Sequence, residues 1–409
     1  MSAAILSRPL ISLALPEKGV ARYAVLAMLA VAGTLLLTLS AKTRVVLGPV
    51  DMSMQTFAVM AIAATFGLRL GVATLVLYMA QGAMGFPVFQ ASPEKGVGIA
   101  YMLGTTGGFL AGFVVMAAIV GTAGLAPTLA AAERGADIAL ANKECLVSAG
   151  ELFVKAVAQG GGRLIPVDSE HSAIFQSLED DQHHAVERIV LTASGGPFRT
   201  WTREQMKGVT ADIARAHPNW SMGLKISIGS ASMFNKALEM IEAKHLFDLR
   251  SEQIEVIVHP QSIIHSMVGY TDGSVLAQLG APDMRTAIGY ALAYPDRPKL
   301  DVERLDFAKL ARLDFEAPDE VRFPALRLAR TALERGGVQG AVMNAAEEVA
   351  FEAFCAGRIG FLAMADIAEA VMEDMVGHDP AGTIEHVFAV DEEARRHAAE
   401  IIVQKEMAA

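Results

Sequence analysis

VVMAAIVGTAGLAPTLAAAE, Val114 to Glu133, begins like the end of a membrane helix and finishes like a soluble helix with a charged face. From Met1 to about Gly121 charges are sparse, whereas from Glu133 onward acidic and basic residues recur every few positions. The stretch marks a break between two kinds of chain. No linker rich in proline, glycine or serine separates them.

The totals agree with a chain of two solvents. A hydrophobic share of 53% and a mean hydropathy of +0.37 are high for a soluble enzyme, and 19% charged residues is low, so part of the chain is expected to meet lipid. At 409 residues there is room for two or three domains. The net charge of -11, with no cluster of Lys and Arg, argues against nucleic acid as a partner, because phosphate binding needs such clusters. Cys145 and Cys355 lie far apart with no CxxC spacing, which points to reduced cytosolic thiols rather than a disulfide framework or a zinc site.

Before the break, Tyr23 to Ser40 is an uncharged run near the length that crosses a hydrocarbon core of about 30 Å. A cleaved signal peptide competes with that reading, but the run starts far from the N-terminus and more apolar runs follow. Those runs are Met54 to Gly67, Leu70 to Phe86 and Gly98 to Gly121, linked by Arg69 and by Pro93-Glu94-Lys95. Arg8, Lys18, Arg22 and Arg69 favour a cytoplasmic N-terminus and four crossings, against Lys42 and Arg44. LGTTGGFLAG, Leu103 to Gly112, reads either as a phosphate-cradling loop or as small residues that let membrane helices approach closely; apolar flanks favour the second.

After the break the pattern becomes that of an enzyme. IALANKECLVSAGELF, Ile138 to Phe153, gives a strand, a turn with Asn142, Lys143 and Glu144, and a helix. RLIPVDSEHSAIFQSL repeats the arrangement, with a strand from Leu164 to Val167 ending at Asp168, Ser169 and Glu170. On an extended backbone Asp168 and Glu170 point to one side, and paired carboxylates without a basic neighbour call for a cation such as magnesium or manganese. The same letters also suit a helix N-terminus with acidic residues facing the dipole.

LTASGGPFR places Ser194 in a glycine turn after a strand at Ile189 to Leu191, where hydroxyl and backbone N–H groups can hold an oxyanion. KISIGSASMFNKALEMIEA reads as a strand, a turn at Gly229 and Ser230, and a helix on which Asn235 and Glu239 share a face beside Lys236. Serines, free helix N–H groups and Lys236 describe a phosphate site, although each piece also suits ordinary capping. HPNWSMG, His217 to Gly223, suggests a lid carrying Trp220, or else a buried anchor. His259 and His265 share no regular face and read as structural.

Two resemblances follow from these residues. MQTFAVMAIAATFGLRLGVATLVLYMAQGAMGFPVF with GTTGGFLAGFVV resembles the substrate-binding membrane component of bacterial biotin transporters of the energy-coupling-factor type, over about Ala21 to Gly121. That family has six helices, and the later ones, which complete the vitamin pocket, have no counterpart here. ALANKE, IPVDSEHSAIFQ, LTASGGPFR, HPNWSMGLKISIGSASMFNKALE and IEVIVHPQSIIHSMVGYTDGSVLAQLGAPDMR together resemble 1-deoxy-D-xylulose 5-phosphate reductoisomerase, from about Thr122 to the C-terminus.

The second resemblance implies an NADPH-dependent, metal-dependent conversion to 2-C-methyl-D-erythritol 4-phosphate in isoprenoid biosynthesis. Asp168, Glu170 and Glu239 would bind Mg2+ or Mn2+, a Lewis acid during a retro-aldol and aldol rearrangement. Lys143 and Ser169 would meet the substrate hydroxyls, and Ser194, Ser230, Asn235 and Lys236 the phosphate. His217 and Trp220 would close over it, and Glu144 and Gly223 would face NADPH. The implied fold is mixed: membrane-type helices at 1–121, a nucleotide-domain remnant at 122–165, an α/β (α+β) catalytic domain at 166–300, and a linker with a C-terminal helical bundle at 301–409.

Partners expected from these resemblances are a phosphorylated sugar, a second copy as in the family's homodimers, and the inner membrane for the first part, with the enzyme part in the cytoplasm. Two departures from the family matter. Gly229 stands where the family has Asp, and glycine loosens the backbone there. The family's GSTGSIG-like NADPH loop lies much further upstream of ALANKE than the string GTTGG at Gly104 to Gly108 does. Reduction is therefore expected to be impaired, with biotin uptake carrying a passenger domain, or a non-functional fusion, as the alternatives.

Overall fold

The computed structural model describes residues 20–46, 51–53, 55–89, 98, 124–215, 223–376 and 382–408. The chain forms two units, Met1–Gly124 and Leu125–Ala409.

In the first unit, helix Val20–Lys42 runs into a short antiparallel pair, Arg44–Val46 with Asp51–Ser53, and then into helix Gln55–Ala83. The two helices approach closely because Gly33 has no side chain: a Cβ there would lie 2.6 Å from the Thr74 methyl. Leu37, Val59, Ile62, Leu75, Tyr78 and Phe89 form the buried seam, while Tyr23, Met28, Leu35 and Leu39 stay exposed. Among the described residues one helix, Arg22–Lys42, is long and apolar enough to cross a membrane.

Helix Gln55–Ala83 passes through Arg69 without a break, which corrects the expectation of two short spans meeting there. Arg and Leu are good helix formers, and isolated glycines such as Gly67 and Gly71 cost only about 1 kcal/mol each, too little to end a helix unaided. The four-crossing topology loses one of its links as a result. Apart from Gly98, the expected span to Gly121, with the string GTTGG, lies outside the described residues.

The second unit is built on a four-stranded sheet in the order Ile254–Val258, Val186–Ala193, Ile264–Tyr270, Val275–Leu279. The first two strands are parallel and the remaining pairs antiparallel. A parallel neighbour demands a crossover, and the segment between Ala193 and Ile254 supplies helices Leu224–Ala231 and Phe234–Leu246. A separate parallel pair, Ile138–Leu140 with Leu164–Pro166, feeds helices Glu144–Gly160 and Ser169–Ser177.

One buried apolar cluster runs from the sheet, through Ile189, Leu191 and Val268, into helices Ala325–Arg335, Gln339–Cys355, Ala363–Asp374 and Ile384–Ala408. Phe198 and Phe361 meet edge to face within it at 5.3 Å. The crossover helices are thereby clamped between sheet and C-terminal helices, so the side chains on their remaining face are held rigidly.

Candidate active site

The strand ending at Pro166 hands over directly to helix Ser169–Ser177, with Asp168 as its N-cap accepting a hydrogen bond from the Glu170 N–H at 3.1 Å. The backbone at Asp168 and Glu170 is therefore the helix start that their letters also suit, and not an extended segment. Capping and convergence coexist, because the helix points its first turn into a cavity of about 430 Å³.

A second expectation fails nearby. Lys225 to Ile228 is part of helix Leu224–Ala231 and not a strand, and Gly229 and Ser230 lie inside that helix. The letters K-I-S-I alternate as in a strand, yet Ile226 is exposed while Ser227, Ile228 and Ala231 are buried, the spacing of a helical face. The sharp turn comes instead at Met233, whose φ of 66° is left-handed, and it launches helix Phe234–Leu246 toward the cavity.

That helix supplies Asn235, Lys236 and Glu239 on one face, as their spacing predicts. Glu239 receives Lys143 Nζ at 3.0 Å and Asn235 Nδ2 at 2.6 Å on one oxygen, and Lys236 contacts the other. Lys143 Nζ also reaches Asp168 Oδ2 at 2.7 Å and Asn235 Oδ1 at 3.0 Å, and Lys236 Nζ reaches Glu170 Oε1 at 2.7 Å. Ser169 Oγ donates to Glu170 Oε2 at 2.6 Å. Three carboxylates thus converge, with oxygens of Asp168, Glu170 and Glu239 within 4.8 Å of one another, bridged by two ammonium groups.

Charge follows from this geometry. Burial opposes the charge on Lys143, but Asp168, Glu239 and Glu242 outweigh it and hold the amine well above the ordinary lysine range. Burial pushes the Asp168 carboxyl up, but Lys143 and His171 outweigh it and hold it well below the usual value. Glu239 is raised, by burial first and then by the charges of Asp168 and Glu170. An all-oxygen donor set of carboxylates suits a hard divalent cation, Mg2+ or Mn2+, rather than zinc or copper.

Across the cavity, strand Val186–Ala193 ends at Ser194, followed by Gly195 and Gly196 with φ of 80° and 65°. Side chains would fail there twice: the backbone is left-handed, and a Cβ on Gly196 would sit 2.9 Å from the Ser230 carbonyl oxygen. The turn so packs against Ser230, and Ser194, Ser230, Asn235 and Lys236 line the same cavity as the carboxylates. Glu144 and Gly223 line it too. His217 and Trp220 lie outside the described residues.

The curated 1-deoxy-D-xylulose 5-phosphate reductoisomerase of Rhizobium rhizogenes is 82% identical over 295 residues, which are 72% of this chain and 74% of that protein. The chain belongs to the 1-deoxy-D-xylulose 5-phosphate reductoisomerase family. The reductoisomerase of Agrobacterium fabrum is 77% identical over the same share of each chain. Residues 164–247 match the 1-deoxy-D-xylulose 5-phosphate reductoisomerase C-terminal domain and residues 279–397 the DXP reductoisomerase C-terminal domain. A solved reductoisomerase of Zymomonas mobilis in complex with NADPH is 53% identical with a TM-score of 0.65, covering 70% of this chain and 73% of that one. Another, in complex with NADPH, fosmidomycin and magnesium, is 45% identical with a TM-score of 0.67, covering 70% and 74%.

Residues 17–153 match the BioY family. The match runs past the boundary expected near Gly121, into residues such as Lys143 that build the reductoisomerase cavity.

Among the residues that escaped the sequence reading are His171 and Glu242, buried behind the carboxylates, and Lys225 and Glu347 on the cavity wall. His171 follows Glu170 directly, and Glu242 lies three residues after Glu239 on the same helical face, so spacing offered a signal for both. Lys225 and Glu347 line the cavity from helices whose approach no local pattern announces. His259 is structural as expected: Nδ1 donates to the Asp314 carbonyl at 2.8 Å and Nε2 accepts from the Ile263 N–H at 3.1 Å. His265, read as structural, lines the cavity, where burial lowers it to about 4 and leaves a neutral ring.

Glu347 yields a pH prediction. The residue is 4% exposed with one carboxyl oxygen lacking a hydrogen-bond partner, and burial pushes it up to about 7. A carboxyl raised on folding contributes stability that is complete below about pH 4.5 and is lost as pH rises through about 7, some 3 kcal/mol over that window. Glu347→Gln has no such loss, so its melting temperature relative to the parent chain should climb between about pH 5 and pH 8. A constant difference across that range would contradict the assignment.

Proposed function

We propose that the Leu125–Ala409 unit binds 1-deoxy-D-xylulose 5-phosphate on a divalent cation and converts it toward 2-C-methyl-D-erythritol 4-phosphate. The observation that carries this reading is the convergence of Asp168, Glu170 and Glu239 opposite the Ser194 and Ser230 turn within one cavity. In this reading residues 122–165 are a nucleotide-domain remnant, 166–300 the catalytic domain, and 301–409 a linker with the helical domain. The enzyme part is cytoplasmic and pairs as a homodimer, and the first part sits in the inner membrane.

Asp168, Glu170 and Glu239 would hold Mg2+ or Mn2+, which supplies Lewis-acid polarisation of substrate oxygens. Ser194, Ser230, Asn235 and Lys236 orient the phosphate end, and Ser169 and Lys143 donate to the hydroxyl end. Lys143 and Lys236 carry their protons at neutral pH, so both act as donors and counter-charges rather than as bases. Glu144 and Gly223 face the cofactor side in this reading, and the family resemblance gives His217 and Trp220, which lie outside the described residues, the role of closing over the substrate. A solved relative is in complex with NADPH, which would supply hydride when bound. The matched stretch covers about three quarters of those relatives, and we assign the hydride step as the impaired one.

The test is calorimetric titration of the purified chain with fosmidomycin in the presence of Mn2+ and in the presence of EDTA. Binding that requires Mn2+ supports the reading; no Mn2+-dependent binding refutes it. The BioY match favours a second reading for the first unit, biotin uptake with an energy-coupling partner. Uptake of labelled biotin by a starved host expressing this chain supports it, and uptake at the level of the empty host removes it.

A further inference from the structure

His171 is wholly buried, and its ring lies parallel to that of Phe247, within 7° at 6.2 Å, which fixes the ring plane. Nε2 is 3.0 Å from the Glu239 backbone carbonyl, and Nδ1 is 3.0 Å from Asp168 Oδ1 and 3.4 Å from Glu242 Oε2. Both ring nitrogens thus face acceptors, with the ring seated between the Asp168 and Glu242 carboxyl groups. Glu242 is 0% exposed, and neither of its oxygens has a hydrogen-bond partner among the described residues. Its contact with Nδ1 has the distance of an ion pair without the alignment of a hydrogen bond.

We propose that Glu242 is a positioning residue for the metal site, acting through His171: it holds the ring so that Nδ1 fixes Asp168 Oδ1 and keeps the Asp168 carboxylate turned toward Glu170 and Glu239. The inference rests on the reading of Asp168, Glu170 and Glu239 as the ligand set. A buried carboxylate without hydrogen bonds does nothing for folding that an apolar side chain of the same volume would not do as well. Its placement explains it instead. Helix Phe234–Leu246 presents Glu239 as a ligand, its backbone carbonyl to Nε2, and one turn on Glu242 as the carboxyl group behind the ring. Without that carboxyl group nothing behind the ring directs Nδ1 at Asp168, and the Asp168 carboxylate is freer to rotate out of the ligand set.

The experiment is Mn2+ titration of the full chain, read by the electron paramagnetic resonance of free Mn2+, for the parent, Asp168→Ala, Glu242→Gln and Glu242→Asp. The parent should bind and Asp168→Ala should not. Glu242→Gln should bind Mn2+ about 10- to 100-fold more weakly, with an unchanged melting temperature in EDTA, and Glu242→Asp should recover part of the affinity. Parent affinity in Glu242→Gln, with Asp168→Ala still inactive in binding, overturns this inference alone. Failure of the parent to bind Mn2+, or unaltered binding by Asp168→Ala, overturns the ligand set and this inference with it. Should Glu242→Gln not fold, Glu242→Leu, which removes the buried charge outright, is read by the same criterion.

Discussion

Glu239→Gln should weaken Mn2+-dependent fosmidomycin binding by more than about 100-fold. Removing one partner of a buried, hydrogen-bonded charge pair at a binding site costs roughly 2–5 kcal/mol of affinity, and about 1.4 kcal/mol corresponds to each factor of ten. Glu239 is the member of the set with most to lose: it is fully buried and receives Lys143, Asn235 and Lys236 at once. Glutamine keeps the volume, but it offers one neutral oxygen where a carboxylate offered two charged ones, and its NH2, in place of the other oxygen, meets one of the two ammonium groups, Lys143 or Lys236, as donor facing donor. Both lysines retain a carboxylate, at Asp168 and Glu170, so the unit should fold and its melting temperature in EDTA serves as the control. Affinity within threefold of the parent would remove Glu239 from the ligand set.

The second large effect is on reduction. With Mn2+ and substrate the purified chain should oxidise NADPH more than about 100-fold more slowly than a full-length relative, because hydride transfer needs the nicotinamide held in register with the reacting carbon, and small misplacement alone costs that much. The chain spans 74% of its relatives in Rhizobium rhizogenes and Agrobacterium fabrum, and the string GTTGG stands too near ALANKE to be the family's NADPH loop. Fosmidomycin titration separates the two halves of the claim: intact binding with slow oxidation locates the defect at the cofactor. Oxidation at a relative's rate would show that NADPH is held by other means.

The sequence by itself determined which residue types could do chemistry and which family they belong to. Asp168 and Glu170 at the end of an apolar strand, Ser194 in its glycine turn, and Asn235, Lys236 and Glu239 on one helical face are all patterns of spacing, and spacing along a chain is local. Composition likewise separated an apolar first part from a charged second part, since hydropathy is a property of letters alone. Tertiary structure decided what depends on remote neighbours. The K-I-S-I alternation became a helix because Ile228 had a core to face and Ile226 did not. The run through Arg69 stayed one helix because nothing in it was strong enough to stop it. His171, Glu242 and Glu347 gained meaning only when folding removed water from them, for a charge in water is ordinary and the same charge buried must be matched by partners that the chain brings from far away.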